Sequence, residues 1–133
     1  MPDKPRILVV GSVNMDLVVR AERLPAPGET ILGRDFTHSP GGKGANLAVA
    51  AARLGADCRM IARIGEDGFG AELLGNLKAE GVDCTDVIRM EDSPSGVALI
   101  IVDSKGENSI IVAGGANRML APDDIFCREE AFR

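Results

Sequence analysis

Strand-like and helix-like segments alternate along the first eighty residues, and that alternation constrains the fold more than any other feature. Arg6-Ile7-Leu8-Val9-Val10-Gly11 is a short, continuous aliphatic run cut off by glycine and serine, the pattern of a buried strand. Ala45 to Leu54 carries Arg53 as its only charge and is stopped by Gly55, which predicts a helix apolar nearly all round and lying in the interior. Cys58–Ile64 is the next expected strand. A second helix follows over about Gly68–Glu80, with Asp67 as its cap, Leu73, Leu74 and Leu77 as its inward stripe, and Gly81 as its end. Strand, helix, strand, helix is the signature of a doubly wound α/β sheet.

The intervening and following segments look like β excursions from that body. Met15–Arg20 is extended and partly alternating, and Leu24-Pro25-Ala26-Pro27-Gly28 breaks the chain before two short strand candidates, Glu29–Gly33 and Asp35–Ser39. After Asp83, the segments Val87–Met90, Gly96–Val102 and Ser109–Val112 are strand-like with no helical period between them. The last two make a hairpin, for which Asp103-Ser104-Lys105-Gly106 supplies the turn with Gly106 at positive φ. Val97–Val102 is too apolar for a solvated hairpin, so a ligand, the domain body or another subunit is expected to cover both its faces. Pro122, Asp123 and Asp124 announce a new helix, since proline and acids suit helix N-termini.

Composition removes several classes of function. With 133 residues the chain suits one domain, and no segment approaches the roughly 20 apolar residues of a membrane span. The apolar run Ile7–Val10 is too short for the core of a signal peptide. A net charge of −5, no Trp or Tyr and four Phe offer neither a basic track nor a stacking platform for nucleic acid. Cys58, Cys84 and Cys127 are odd in number and widely spaced, which suits reduced thiols in a cytoplasm and forms no zinc pattern; no metal site is expected. The lone histidine, His38, has no acid within a few residues of sequence, so a solvent-facing strand position is favoured over a general base.

The chemistry concentrates in Gly41-Gly42-Lys43-Gly44-Ala45-Asn46, which runs straight into the small-residue helix. Glycines at a helix entrance let backbone N–H groups approach a ligand closely, and Lys43 and Asn46 add a cation and an amide. This is not a Walker phosphate loop, because Gly44 follows the lysine and no hydroxyl is present to hold a metal. Asn14 and Asp16 lie just past the C-terminal end of the first strand, where open α/β sheets place their ligands. Ionised Asp16 accepts only, Lys43 donates only, and Asn14 and Asn46 do both, a mixture that suits vicinal hydroxyls; a phosphate would ask for donors alone. The same residues also admit plainer roles, a glycine turn before a buried helix and a surface Asp16–Lys43 ion pair.

These residues resemble a known family. From Gly41 to Gly65, two glycines, Gly44, Asn46, Ala48, Gly55 and Gly65 stand at the spacing of the first signature of the ribokinase-type (PfkB) carbohydrate kinases. Gly11–Asp16, Pro27-Gly28-Glu29-Thr30, Gly96–Ile100 and Gly106-Glu107-Asn108 are similar to the same family, and Lys43 matches its ribose-phosphorylating branch. The resemblance implies part of a doubly wound (Rossmann-like) α/β/α sandwich with a β-sheet lid, residues 1–133 forming the N-terminal part of one kinase domain. Lid strands are expected near 14–20, 29–39, 96–103 and 108–113. It implies ATP-dependent phosphorylation of D-ribose to D-ribose 5-phosphate, with Asn14, Asp16, Gly42, Lys43 and Asn46 binding sugar hydroxyls and Ala98 and Ile110 giving apolar lid contacts. ATP, magnesium and a monovalent cation (potassium) are the implied cofactors, and a cytoplasmic homodimer joined through the lids is the implied assembly.

One part of the family pattern is absent. The Gly-Ala-Gly-Asp segment that stabilises the transferring phosphate and takes the hydroxyl proton does not occur; Ala113-Gly114-Gly115-Ala116-Asn117 and Gly65-Glu66-Asp67-Gly68 lack an Asp after such a turn. The chain is therefore expected to be a truncated N-terminal half with no catalytic residue of its own, inactive as a kinase alone. Two alternatives stay open: a non-catalytic sugar-binding or dimerisation module, and a family kinase for another furanose such as deoxyribose. A dinucleotide-binding domain is disfavoured, since Ser12, Val13 and Asn14 follow Gly11 in place of Gly-x-Gly-x-x-Gly.

Overall fold

A computed structural model describes residues 3–133. Its seven strands are β1 (Arg6–Val10), β2 (Asn14–Arg20), β3 (Asp35–Gly41), β4 (Asp57–Gly65), β5 (Asp83–Met90), β6 (Gly96–Val102) and β7 (Asn108–Ala113). The helices are α1 (Lys43–Arg53), α2 (Gly68–Ala79) and the short α3 (Pro122–Phe126), with 3-10 turns at Gly115–Met119 and Glu129–Phe132. The strands make two sheets. One is wholly parallel in the order β1-β4-β5, and the other is mixed, in the order β3-β2-β6-β7.

The parallel sheet follows from the chain pattern of strand, helix, strand, helix. In β4 the even-numbered residues Cys58, Met60, Ala62 and Ile64 are buried with Ala45, Ala48 and Ala51 of α1 and Leu73 and Leu77 of α2 in a single apolar cluster. Alanines on the inner face of α1 let that helix lie close to the sheet. Asp67 caps α2 as expected, accepting from the Gly70 N–H at 2.7 Å. On the other face of β4, Arg63 pairs with Asp124 through Nε at 2.8 Å and Nη2 at 2.6 Å, tying α3 to the sheet. The Arg63 guanidinium, outweighing the cost of burial, holds the Asp124 carboxyl below the usual carboxylate range.

Two expectations need correction. The helix at Ala45–Leu54 is not apolar on all sides of an interior position: it begins at Lys43, and Leu47 and Leu54 are 60% and 89% exposed. Only one face is covered because only one sheet lies against it. Glu29–Gly33 forms no strand, and β3 begins at Asp35. The reason is local: the Glu29 N–H donates to Ala26 O at 2.9 Å, and its carboxylate is taken by the Arg23 guanidinium and the Ala26 N–H. Residues 23–29 close on themselves and leave no free ladder partner. In the single chain β6 is covered by the domain body on part of its surface only, Leu99 being 46% exposed, which leaves the rest to the ligand or second subunit that its apolar sequence calls for.

The β6–β7 turn forms as its sequence indicates. Gly106 has φ 79°, and Asp103 Oδ1 accepts from the N–H groups of Lys105 at 2.9 Å and Glu107 at 3.0 Å. His38 sits exposed on β3, as the favoured reading has it, but it does have an acidic neighbour in space: Nε2 lies 3.1 Å from Glu72 Oε1 of α2. No helix among the described residues is long and apolar enough to cross a membrane.

Candidate functional site

The two sheets meet where β1 runs into β2 through only Gly11, Ser12 and Val13, and where β3 runs into α1 through Gly42. That junction lies at the carboxyl end of β1, the position at which open α/β sheets bind ligands. Strand register places the sequence-derived residues there. Asn14 pairs with Gly41 on one side and Gly96 on the other, and Asp16 pairs with Ser39 and with Ala98. Because paired residues share a face and side chains alternate, Asn14, Asp16 and Ala98 all project from one face of the mixed sheet.

The glycines bring α1 up against these strands. A Cβ on Gly41 would run into the Asp16 carboxylate, so that carboxylate lies directly on the Gly41 backbone. Gly42 caps α1 with φ 94°, and a Cβ there would meet Asn14 N and Ser12 O, both at 2.8 Å. Gly44 is equally confined, its Cβ position lying 2.7 Å from Ser12 N and 2.8 Å from Gly11 C. The Ala45 N–H donates to Ser12 O at 3.0 Å, locking the first turn of α1 to the end of β1. Lys43 and Asn46 on that turn are exposed. The structure thus brings Asn14, Asp16, Gly42, Lys43 and Asn46 to one junction.

Ile110 lies farther out. It pairs with Ile100, one same-face row beyond Asp16, whereas Val112 pairs with Ala98 and so lies in the Asp16 row itself. Val112 was missed by sequence reading, although counting back from the turn pairs Ala98 with Val112 once Val102 is set opposite Asn108. A second omission is Asn117, whose side chain is hydrogen-bonded to Val13 and to Asn14. It belongs to the segment that resembles an incomplete catalytic turn, and no local signal ties it to residues more than a hundred positions away.

Partial burial raises the Asp16 pKa above the ordinary carboxylate value. The group has no basic partner among its hydrogen bonds, so burial acts unopposed. A separate cavity of about 430 Å³ lies at the opposite end of the parallel strands, lined by Arg6, Asp57, Arg59 and Asp83 together with residues 130–133. It stands at the amino ends of the strands, opposite the carboxyl ends at which open α/β sheets bind their ligands, so the junction is the better candidate. No group of three metal-ligating side chains occurs among the described residues.

Known proteins match this sequence and fold. The profile of the pfkB family carbohydrate kinases matches residues 4–132. The ribokinase of Bacillus subtilis (strain 168) is 48% identical over 116 residues, covering 87% of this chain and 39% of the relative. The deoxyribokinase of Salmonella typhi is 40% identical over 119 residues, covering 90% of this chain and 39% of the relative. The structure of Arabidopsis thaliana ribokinase complexed with ribose and ATP superposes with a TM-score of 0.82 at 37% identity, covering 93% of this chain and 42% of that one. The chain spans about two-fifths of the length of these relatives. The α/β body with its second, mixed sheet is a ribokinase-like fold, and the chain belongs to the pfkB family of carbohydrate kinases.

Proposed function

We propose that this chain supplies the acceptor-sugar site and lid of an enzyme that transfers the γ-phosphoryl group of ATP to D-ribose, giving D-ribose 5-phosphate. The observation that carries the reading is the junction itself. An acceptor, Asp16, and an amide, Asn14, stand on one sheet beside the Lys43 and Asn46 donors on the first turn of a helix packed on the other. Asp16 accepts from a sugar hydroxyl, Lys43 and Asn46 donate to sugar oxygens, and Gly42 permits the close approach. Ala98, Ile110 and Val112 provide an apolar wall on the same face of the lid. Such a wall excludes water, which competes with the sugar as phosphoryl acceptor. The relatives named ribokinase, one of them seen with ribose and ATP, support the substrate pair.

We assign no residue of this chain to phosphoryl transfer, nor to ATP, magnesium or potassium. Its part in the reaction is to bind and orient the acceptor.

Calorimetric titration with D-ribose tests the assignment. Asp16→Ala and Lys43→Ala are each expected to weaken binding about 10- to 100-fold, the range for a hydrogen bond involving a charged group. Wild-type affinity in both variants would remove the junction as the sugar site. The deoxyribokinase relative gives a specific reason to run 2-deoxy-D-ribose in parallel, and tighter binding of the deoxy sugar would reassign the substrate.

The same sheet is our proposed dimer surface. Leu99 and Ile111 are paired across β6 and β7 and are 46% and 71% exposed, with Phe36 open on the same face. A patch of this kind is characteristic of protein interfaces. Light scattering is expected to give twice the subunit mass, and Ile111→Glu the single mass; a monomeric wild type at micromolar concentration would refute the pairing.

A further inference from the structure

We infer that Asn117 is a positioning residue that turns Asn14 into a hydrogen-bond donor toward the bound sugar. The inference rests on the sugar-site reading above and assigns the polarity of one of its contacts.

The assignment follows a chain of donors and acceptors that starts at the backbone. The Val13 N–H donates to Asn117 Oδ1 at 2.9 Å, and Asn117 Nδ2 donates to Val13 O at 3.1 Å. A peptide N–H only donates and a peptide carbonyl only accepts, so this pair leaves a single orientation for the Asn117 amide. The second proton of Asn117 Nδ2 points at the Asn14 side chain, at 2.7 Å. The atom receiving it must be an acceptor, hence Asn14 Oδ1. The Asn14 amide is oriented in turn, and its Nδ2 makes no hydrogen bond among the described residues. Asn14 on its own is equally able to donate or accept. Held by Asn117, it offers N–H protons to the junction, beside the acceptor Asp16 on the same face of β2.

Gly96 is built to allow this contact. A Cβ at that position would collide with Asn117 Nδ2 and lie 2.5 Å from Asn14 Oδ1, so the two amides meet in space that any other residue would fill. The polarity has a chemical consequence. A group touching both Asn14 and Asp16 must accept from the first and donate to the second, which a hydroxyl does and a hydrogen, a fluorine or a carbonyl oxygen does not.

The test uses the protein expressed from its complete reading frame, with D-ribose calorimetry and side-chain amide ¹H–¹⁵N spectra. Asn117→Asp replaces the donor with an acceptor and is expected to weaken D-ribose binding about tenfold, equivalent to about 1.4 kcal/mol. In an Asn14→Ala background the same change is expected to cost distinctly less, only the part owed to the lost Asn117 Nδ2–Val13 O bond, because the relay has lost its target. Asn14→Asp keeps an acceptor for Asn117 but presents no donor to the sugar, and its loss is expected to match that of Asn14→Ala. Equal penalties for Asn117→Asp in both backgrounds, or wild-type affinity in Asn14→Asp, would overturn the relay. If the wild type binds no pentose, the sugar reading fails; the relay then stands or falls on whether Asn117→Asp displaces the Asn14 Nδ2 resonances.

Discussion

Replacing Gly42 with alanine is expected to destabilise the fold by about 3 kcal/mol and to abolish sugar binding. Two costs combine. A side chain at φ 94°, ψ 138°, outside the αL region, is strained by about 1–3 kcal/mol, and inserting a methyl group into packed surroundings costs about 1–3 kcal/mol. The neighbours cannot move aside, because Asn14 N, Ser12 O and Val13 Cα are all backbone atoms. Relief requires shifting the start of β2, and with it Asn14 and Asp16. Gly55 offers an internal control: it has the same φ of 94° but nothing within 4 Å of its Cβ position. Gly55→Ala therefore carries the strain of a positive φ with no steric contact, and is expected to cost less than Gly42→Ala. Urea denaturation of both variants measures the difference, and equal losses would show that the close approach at Gly42 contributes nothing.

Asp67→Ala is the second change with a large expected effect, about 3 kcal/mol. One carboxylate serves three donors: Oδ1 accepts from the Gly70 N–H and the Ser95 hydroxyl, both at 2.7 Å, and Oδ2 accepts from the Ser95 N–H at 2.8 Å. The Ser95 hydroxyl in turn accepts from the Gly65 N–H at 3.0 Å. Loss of a helix cap costs about 1 kcal/mol, and stranding the N–H of buried Ser95 adds about 1–3 kcal/mol.

This carboxylate also makes stability depend on pH. Burial alone pushes its pKa up, but the hydrogen bonds from Ser95 and Gly70 outweigh burial and hold it below the ordinary value. A carboxyl with a depressed folded-state pKa contributes its full stabilisation above the unfolded value, about 3.9, and loses it as pH falls through the folded value. Wild-type stability should therefore drop more steeply below about pH 4 than that of Asp67→Ala. Parallel acid-denaturation curves would count against this hub.

The parts of the fold visible in the sequence are those specified by local periodicity and turn chemistry. Apolar runs gave away β1 and β4, the Leu73/Leu77 stripe and Asp67 marked α2, and Asp103 and Gly106 located the hairpin. Residues 29–33 form no strand because Glu29 folds back onto Arg23 and Ala26, of which strand-like composition says nothing. Leu47 and Leu54 misled differently, since an apolar residue needs an opposing layer to be buried and the parallel sheet covers only one side of α1. At the candidate site, the Gly41–Asn46 run and the Asn14/Asp16 pair were legible because each is contiguous. Asn117 was not, for its partner Val13 lies 104 residues away. His38 and Glu72, 34 residues apart, are hidden from one another in the same way.

The narrowness of the junction between the two sheets has one more consequence. Asn14, Asp16 and Ala98 ride on the mixed sheet, while Lys43 and Asn46 ride on a helix fastened to the parallel one. Gly11, Ser12 and Val13 on one connection, Gly42 on a second and residues 91–95 on a third are the chain that joins the two sheets. A small rotation of one layer against the other would separate Asn14 and Asp16 from Lys43 and Asn46 together, with no side chain at the site altered. On the proposed assignment, affinity for the sugar would read out the angle between the layers, and a ligand bridging them would act as a splint, stabilising that angle by the free energy with which it binds.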